Sequence, residues 1–118
     1  MDKAELERRT KTFAVRAIRF VAALPKSKVT DVLGYQLLRS STSIGANYRE
    51  ANRAESRNDF IHKIGLVEKE AAETQYWLEL LEEVKIGNAE ERRWLLQESS
   101  ELLAIFVSIG KTSKSRLA

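Results

Sequence analysis

Cysteine is missing from the 118 residues, so neither a disulfide nor a thiolate metal site is available, and a reducing compartment is the natural setting. Histidine occurs once, as His62, whereas a di-iron helical bundle draws Glu-x-x-His pairs from two helices; neither a metal nor another cofactor is expected. A single proline, Pro25, and five glycines leave little material for β-turns and suit long uninterrupted helices. No apolar run approaches the roughly 18 residues of a membrane span. The start, with Asp2, Lys3 and Glu5, lacks the apolar core of a signal peptide. A cytoplasmic protein without a membrane partner is therefore expected.

What is present describes a folded, charge-rich chain, 43% hydrophobic and 31% charged. Residues 1–118 read as one domain, large enough for a core of its own. The net charge of +3 hides an asymmetry: residues 1–57 carry 12 Lys and Arg against 6 Asp and Glu, residues 58–118 carry 8 against 11. A basic half and an acidic half can attract each other within a bundle or present opposite faces to different partners.

The organising stretch is Leu37 to Ala54. On a helix, Leu33, Leu37, Ser40, Ile44, Asn47, Ala51 and Ala54 keep the 4-3 spacing of a seam that packs against other helices. Its chemistry is unusual, because Ser40 and Asn47 interrupt the apolar line and Gly45 sits beside it. Glycine inside a helix costs about 1 kcal/mol relative to alanine. Neighbouring helices must hold this stretch helical, and its small residues let them come close. Buried hydroxyls are expected to bond back to the helix.

Around it, the spacing predicts helices over about 2–24, 29–54, 57–86 and 89–112. Phe13, Ala17, Phe20, Val21 and Leu24 mark the first, with Val15, Ile18 and Ala22 widening the face and Pro25 closing it. Thr30 is the expected N-cap of the second. Ser56 with Asp59 opens the third, where Phe60, Ile64, Val67, Ala71, Thr74, Leu78 and Leu81 repeat the 4-3 spacing. Lys85 and Gly87 are its expected C-terminal cation and C′ glycine. Asn88 with Glu91 opens the fourth, striped by Leu95, Leu102, Phe106 and Ile109; Gly110 and Lys111 to Arg116 read as a fraying tail. Short connections force an all-α, antiparallel up-down-up-down four-helix bundle. Leu66, Tyr76, Trp77 and Leu80 lie off the third seam, and the fourth helix is apolar over nearly half its circumference with Trp94 at its start. Such excess predicts self-association through helices three and four.

Several runs carry a resemblance: Arg39-Ser-Ser-Thr-Ser-Ile-Gly-Ala-Asn47, Glu50-Ala51, Ser56, Asp59-Phe-Ile-His-Lys63, Glu68-Lys-Glu-Ala71 and Glu73-Thr-Gln-Tyr-Trp-Leu78. Together they resemble the bacterial four-helix-bundle family, also called the 23S rRNA intervening-sequence protein family, over about Phe13 to Lys111. The resemblance implies a bundle assembled as a homopentameric ring, some of whose members are encoded inside insertions in ribosomal RNA genes. It also implies a relation to the accessory variability determinant proteins of diversity-generating retroelements, which are pentameric and basic and bind nucleic acid and a reverse transcriptase. Ser40, Ile44, Gly45, Asn47, Glu70, Thr74 and Trp77 fall on the structural motif. Tyr48 departs from it, standing where an aliphatic residue is common.

For function, the arginines say most. Arg8, Arg9, Lys11, Arg16 and Arg19 cluster on helix one, and Arg39, Arg49 and Arg53 lie on helix two away from its seam. Guanidinium forks match phosphate oxygens, and a basic surface gives salt-sensitive affinity for RNA or DNA. Glu5, Glu7, Glu50 and Glu55 dilute the patch. The expected role is a non-enzymatic homo-oligomer binding nucleic acid or a nucleic-acid-handling protein. One alternative is a structural or adaptor ring without nucleic-acid affinity. Another is a ribonuclease of the HEPN class, whose Arg-Asn-x-x-x-His form Arg57-Asn-Asp-Phe-Ile-His62 resembles, with His62 suited to proton transfer. A Ser-His-Asp arrangement from Ser40 or Ser43, His62 and Asp59 is disfavoured, because the serines belong to a seam and His62 falls opposite Phe60's row. Glu70 and Glu73 are expected to pair with arginines of helix two, within a chain or between copies.

Overall fold

The computed structural model describes residues 1–116; the last two residues of the expected domain, Leu117 and Ala118, lie outside them. Four α-helices follow one another, α1 (Lys3–Ala22), α2 (Lys28–Ala51), α3 (Arg57–Val84) and α4 (Ala89–Ser115), with no strand among the described residues. They form an antiparallel bundle 48 × 24 × 21 Å, as the spacing predicts. Adjacent helices pack backbone to backbone around it, and across the diagonals only side chains meet.

Each helix begins on a side chain that accepts one of the orphan N–H groups of the first turn. Asp2 accepts from Glu5 at 2.8 Å, Ser56 from Asp59 at 3.0 Å and Asn88 from Glu91 at 2.9 Å. Such caps contribute about 1 kcal/mol each. For α2 the cap is Ser27, not Thr30. Ser27 Oγ accepts the Thr30 N–H at 3.1 Å while Thr30 Oγ1 accepts the Ser27 N–H at 3.0 Å, so Thr30 closes the reciprocal box from inside the helix.

The ends depart further from the sequence reading. Helix α1 stops at Ala22 and α2 at Ala51, so Leu24 and Ala54 lie past their helices. The left-handed residue that ends α3 is Lys85, at φ 56°, not Gly87. The Ile86 N–H then reaches back to the Leu81 carbonyl at 3.1 Å, the six-to-one bond of a Schellman cap, and Ile86 packs on the core. Gly87 is itself at φ 87°, and a Cβ there would come within 2.5 Å of the Phe20 ring. Glycine is required twice over. Helix α4 continues to Ser115 instead of fraying from Gly110, because Gly110 and Ser113 are buried; a Cβ on Gly110 would sit 3.1 Å from the Glu68 carboxylate of α3.

The core is one cluster drawn from all four helices. Ile64, Val67, Ala71, Thr74, Leu78 and Leu81 are all buried on α3, as are Leu37, Ser40, Ile44 and Ala51 on α2. Tyr48 is buried too, edge-on to Phe106 at 5.2 Å between ring centres, and burial pushes its phenol up. On α1, Ile18 and Ala22 face solvent, while Leu6 and Thr10 extend the buried row toward the N-terminus.

Candidate nucleic-acid interface

The polar seam is a packing device. Ser40 and Thr74 are fully buried where α2 meets α3, their hydroxyl oxygens 2.9 Å apart. Thr74 Oγ1 lies 2.8 Å from the Glu70 carbonyl and Ser40 Oγ 3.4 Å from that of Leu37. Asn47 is half-buried and donates to the Ser43 carbonyl at 2.8 Å. Gly45 marks a close approach on the other side of α2, since a Cβ there would lie 3.1 Å from Thr10 Oγ1 of α1. Thr10 donates back within α1, with the Leu6 and Glu7 carbonyls each 3.0 Å away.

That approach leaves a groove between α1 and α2. Its volume is about 230 Å³, and Thr10, Ala14, Thr42, Gly45 and Ala46 line it with Lys11 and Arg49. The walls are small because large side chains would separate the helices. Two cations, Lys11 and Arg49, stand at its walls.

The eight expected cations divide into two groups. Arg9 is held by α4: its guanidinium bonds Glu98 at 2.7 and 2.8 Å and Glu101 at 3.0 Å, which raises its pKa. Arg16 grips Glu91 at 2.8 and 2.7 Å and stacks 3.4 Å above the Trp94 ring. The same bonds hold the Glu91 carboxyl below the usual range. Arg39 pairs with Glu73 and, at 3.4 Å, with Glu70, both on α3 of the same chain. Trp77 donates to that Glu73 carboxylate at 3.2 Å. These three arginines join helices. By contrast, Arg8, Lys11, Arg19 and Arg53 are exposed and make no ion pair among the described residues, and Arg49 meets Glu7 only at 3.9 Å. At about 100° per residue, Arg8, Lys11 and Arg19 fall within an arc of about 80° on α1.

Arg92 belongs to neither group, and the sequence reading passed it over. It is 2% exposed, bonded to Glu82 at 2.6 Å and to the Ile86 and Gly87 carbonyls at 3.1 and 2.8 Å. It ties the α3–α4 turn to the bundle. Its signal was its place three residues before Leu95, one step back along the stripe of α4.

Arg57 and His62 are both exposed on α3, five residues apart, which is about 140° around a helix. Arg57 lines a cleft at the end of the bundle that His62 does not reach. No group of His, Asp and Glu suited to a metal ion occurs among the described residues, and no helix there is long and apolar enough to cross a membrane.

Of the excess apolar residues, Trp94, Leu96, Leu103 and Ile105 of α4 pack partly against their own core. Leu66, Tyr76 and Val84 of α3 stand in solvent. So do Val29, Val32 and Tyr35 of α2, the last 63% exposed.

Geometry therefore defines an antiparallel four-helix bundle whose first two helices enclose a cation-rimmed groove. The chain belongs to the 23S rRNA-intervening sequence protein family, whose model matches residues 2–108. A solved structure of a protein with unknown function from the S23 ribosomal protein family, of Bacteroides thetaiotaomicron VPI-5482, is 41% identical; the match covers 89% of this chain and 97% of that one, with a TM-score of 0.82. No curated protein matches the chain.

Proposed function

We propose that the protein is a non-enzymatic, self-associating bundle that binds RNA or DNA through the groove between α1 and α2. The observation that carries this reading is the separation of the cations. Arg9, Arg16 and Arg39 are neutralised inside the chain, whereas Lys11 and the weakly paired Arg49 stay available at the groove, and Arg8, Arg19 and Arg53 stay exposed without an ion pair among the described residues. A cation without an internal partner keeps its charge for a phosphate, and each phosphate contact releases counterions. The family's association with 23S rRNA intervening sequences agrees with such a ligand.

Self-association is the second part of the proposal. Val29, Val32 and Tyr35 on α2 and Tyr76 and Val84 on α3 leave apolar surface uncovered, which a second copy would bury. A cyclic assembly, a pentamer in our reading, repeats the groove around a ring and so multiplies weak binding into avidity. Nucleic-acid-handling proteins are compatible partners for the same ring.

The test is binding of fluorescent RNA and DNA oligonucleotides across a salt series, with mass determined by light scattering. The proposal expects an affinity that falls linearly on a log–log plot and an oligomer at micromolar concentration. Absence of binding at low salt removes the nucleic-acid reading and leaves the adaptor ring. A stable monomer removes the ring.

A further inference from the structure

A second cleft lies away from the α1–α2 groove, at the end of the bundle where the start of α1, the end of α2, the start of α3 and the end of α4 converge. It holds about 580 Å³, within the range of small-molecule sites. Three cations line it, Lys3, Arg57 and Arg116, and no carboxylate does among the described residues. None of the three makes an ion pair among the described residues. The sign does not come from helix dipoles, because two N-termini and two C-termini meet here and offset one another. It comes from the side chains.

One buried polar atom at the cleft lacks a partner. Ser113, 5% exposed, lines the cleft. Asn52 gives its amide N–H to Glu7 at 2.9 Å, while its amide oxygen is buried without a donor. Buried polar groups ordinarily find partners, so the Asn52 oxygen rewards a ligand that supplies a donor. Phe60 and Ile109 add an apolar wall. The combination is a place for a dianionic head, a neighbouring donor and an apolar body.

We infer that this cleft binds a phosphate monoester carried on a small, partly apolar molecule, of which a 5′-mononucleotide is the fitting example. Two sources offer that chemistry, a free mononucleotide and the 5′-phosphorylated end of an RNA strand. Arg57 and Arg116 hold the phosphate, Ser113 donates to it or to the sugar, and the ring lies against Phe60. The site does not depend on the α1–α2 groove.

Calorimetric titration of the full chain decides it, with adenosine 5′-monophosphate, adenosine and inorganic phosphate as probes. The monophosphate is expected to bind at least about tenfold more tightly than either fragment, the worth of a charge-assisted bond gained at each end. Arg57→Ala and Arg116→Ala each weaken it about tenfold. Lys69→Ala, on the exposed flank of α3, leaves it unchanged, and circular dichroism verifies that every variant is folded. A 5′-phosphorylated RNA oligonucleotide preferred over its 5′-hydroxyl form assigns the strand end; mononucleotide binding without that preference assigns the free molecule. Absence of both, or an affinity indifferent to Arg57 and Arg116, overturns the site. Oligonucleotide binding that persists in that case leaves the groove reading standing, and its loss with mononucleotide binding intact removes the groove alone.

Discussion

The seam between α2 and α3 and the seam between α1 and α4 solve one problem in opposite ways. Between α2 and α3 the residues are small and the helices close, with Ser40 and Thr74 sealed at zero exposure and Ala51 and Ala71 beside the aliphatic row. Between α1 and α4 the approach is the loosest of the four, and long side chains cross it: Arg9 to Glu98 and Glu101, Arg16 to Glu91, with Trp94 lying between Arg16 and Phe13. The first seam is stabilised chiefly by packing, which responds to volume, with the Arg39 pairs to Glu70 and Glu73 at its edge. The second depends on charge near solvent, which is worth less and responds to salt and acid.

The difference can be broken from either side. Ser40→Leu forces a large side chain into the closed seam and is expected to cost about 3 kcal/mol, read as a shift of the denaturant midpoint. A cost under about 1 kcal/mol would mean that α2 and α3 have room to spare. Arg92→Met, at the turn that continues α3 into α4, removes three hydrogen bonds of a buried guanidinium and is expected to cost about 2 kcal/mol. Its midpoint should move little between low and high salt, because the guanidinium is buried and two of its three partners are neutral carbonyls.

Across the looser seam the effects shrink. Arg16→Gln is expected to cost under about 1 kcal/mol, and less at high salt. Acid sharpens the contrast. Arg16 depresses the Glu91 carboxyl below its ordinary 4.5 in the folded chain, so the pair stabilises above about pH 4.5 and is lost as pH falls through the lowered value. Amide exchange in α1 should therefore quicken below pH 4.5 before that in α3, and Glu91→Gln should flatten this dependence. Equal quickening in both helices would contradict the division between the two seams.

Most of the architecture was legible because a heptad row carries its own evidence. Every residue from Ile64 to Leu81 in the predicted row of α3 is buried, the caps of α3 and α4 stand on the expected Ser56 and Asn88, and that of α2 stands three residues before the expected Thr30. The rows were read too short. Leu6 and Thr10 continue the Phe13 row, Arg92 precedes Leu95, and Ser99 and Ser113 keep the same phase on α4. Polar residues on an apolar phase were discounted, although a hydroxyl bonded to its own helix or an arginine on free carbonyls fits there. The pairing of cations could not be read at all. Arg8 and Arg9 are identical in type and adjacent, yet one projects to solvent while the other is closed by two glutamates about ninety residues away, a matter of register between helices. The family resemblance, now established by the match over residues 2–108, supplied the bundle and was silent on that register.

The direct test compares two sets of charge removals. One replaces Arg8, Lys11, Arg19 and Arg53 by Gln, and the other replaces Arg9, Arg16 and Arg39. Salt-dependent binding of a labelled RNA oligonucleotide is measured for both, beside thermal stability. The account predicts that the first set loses most of its affinity and shallows the salt slope with stability intact, while the second loses stability first. Equal loss of affinity in both sets, or none in the first, would contradict it.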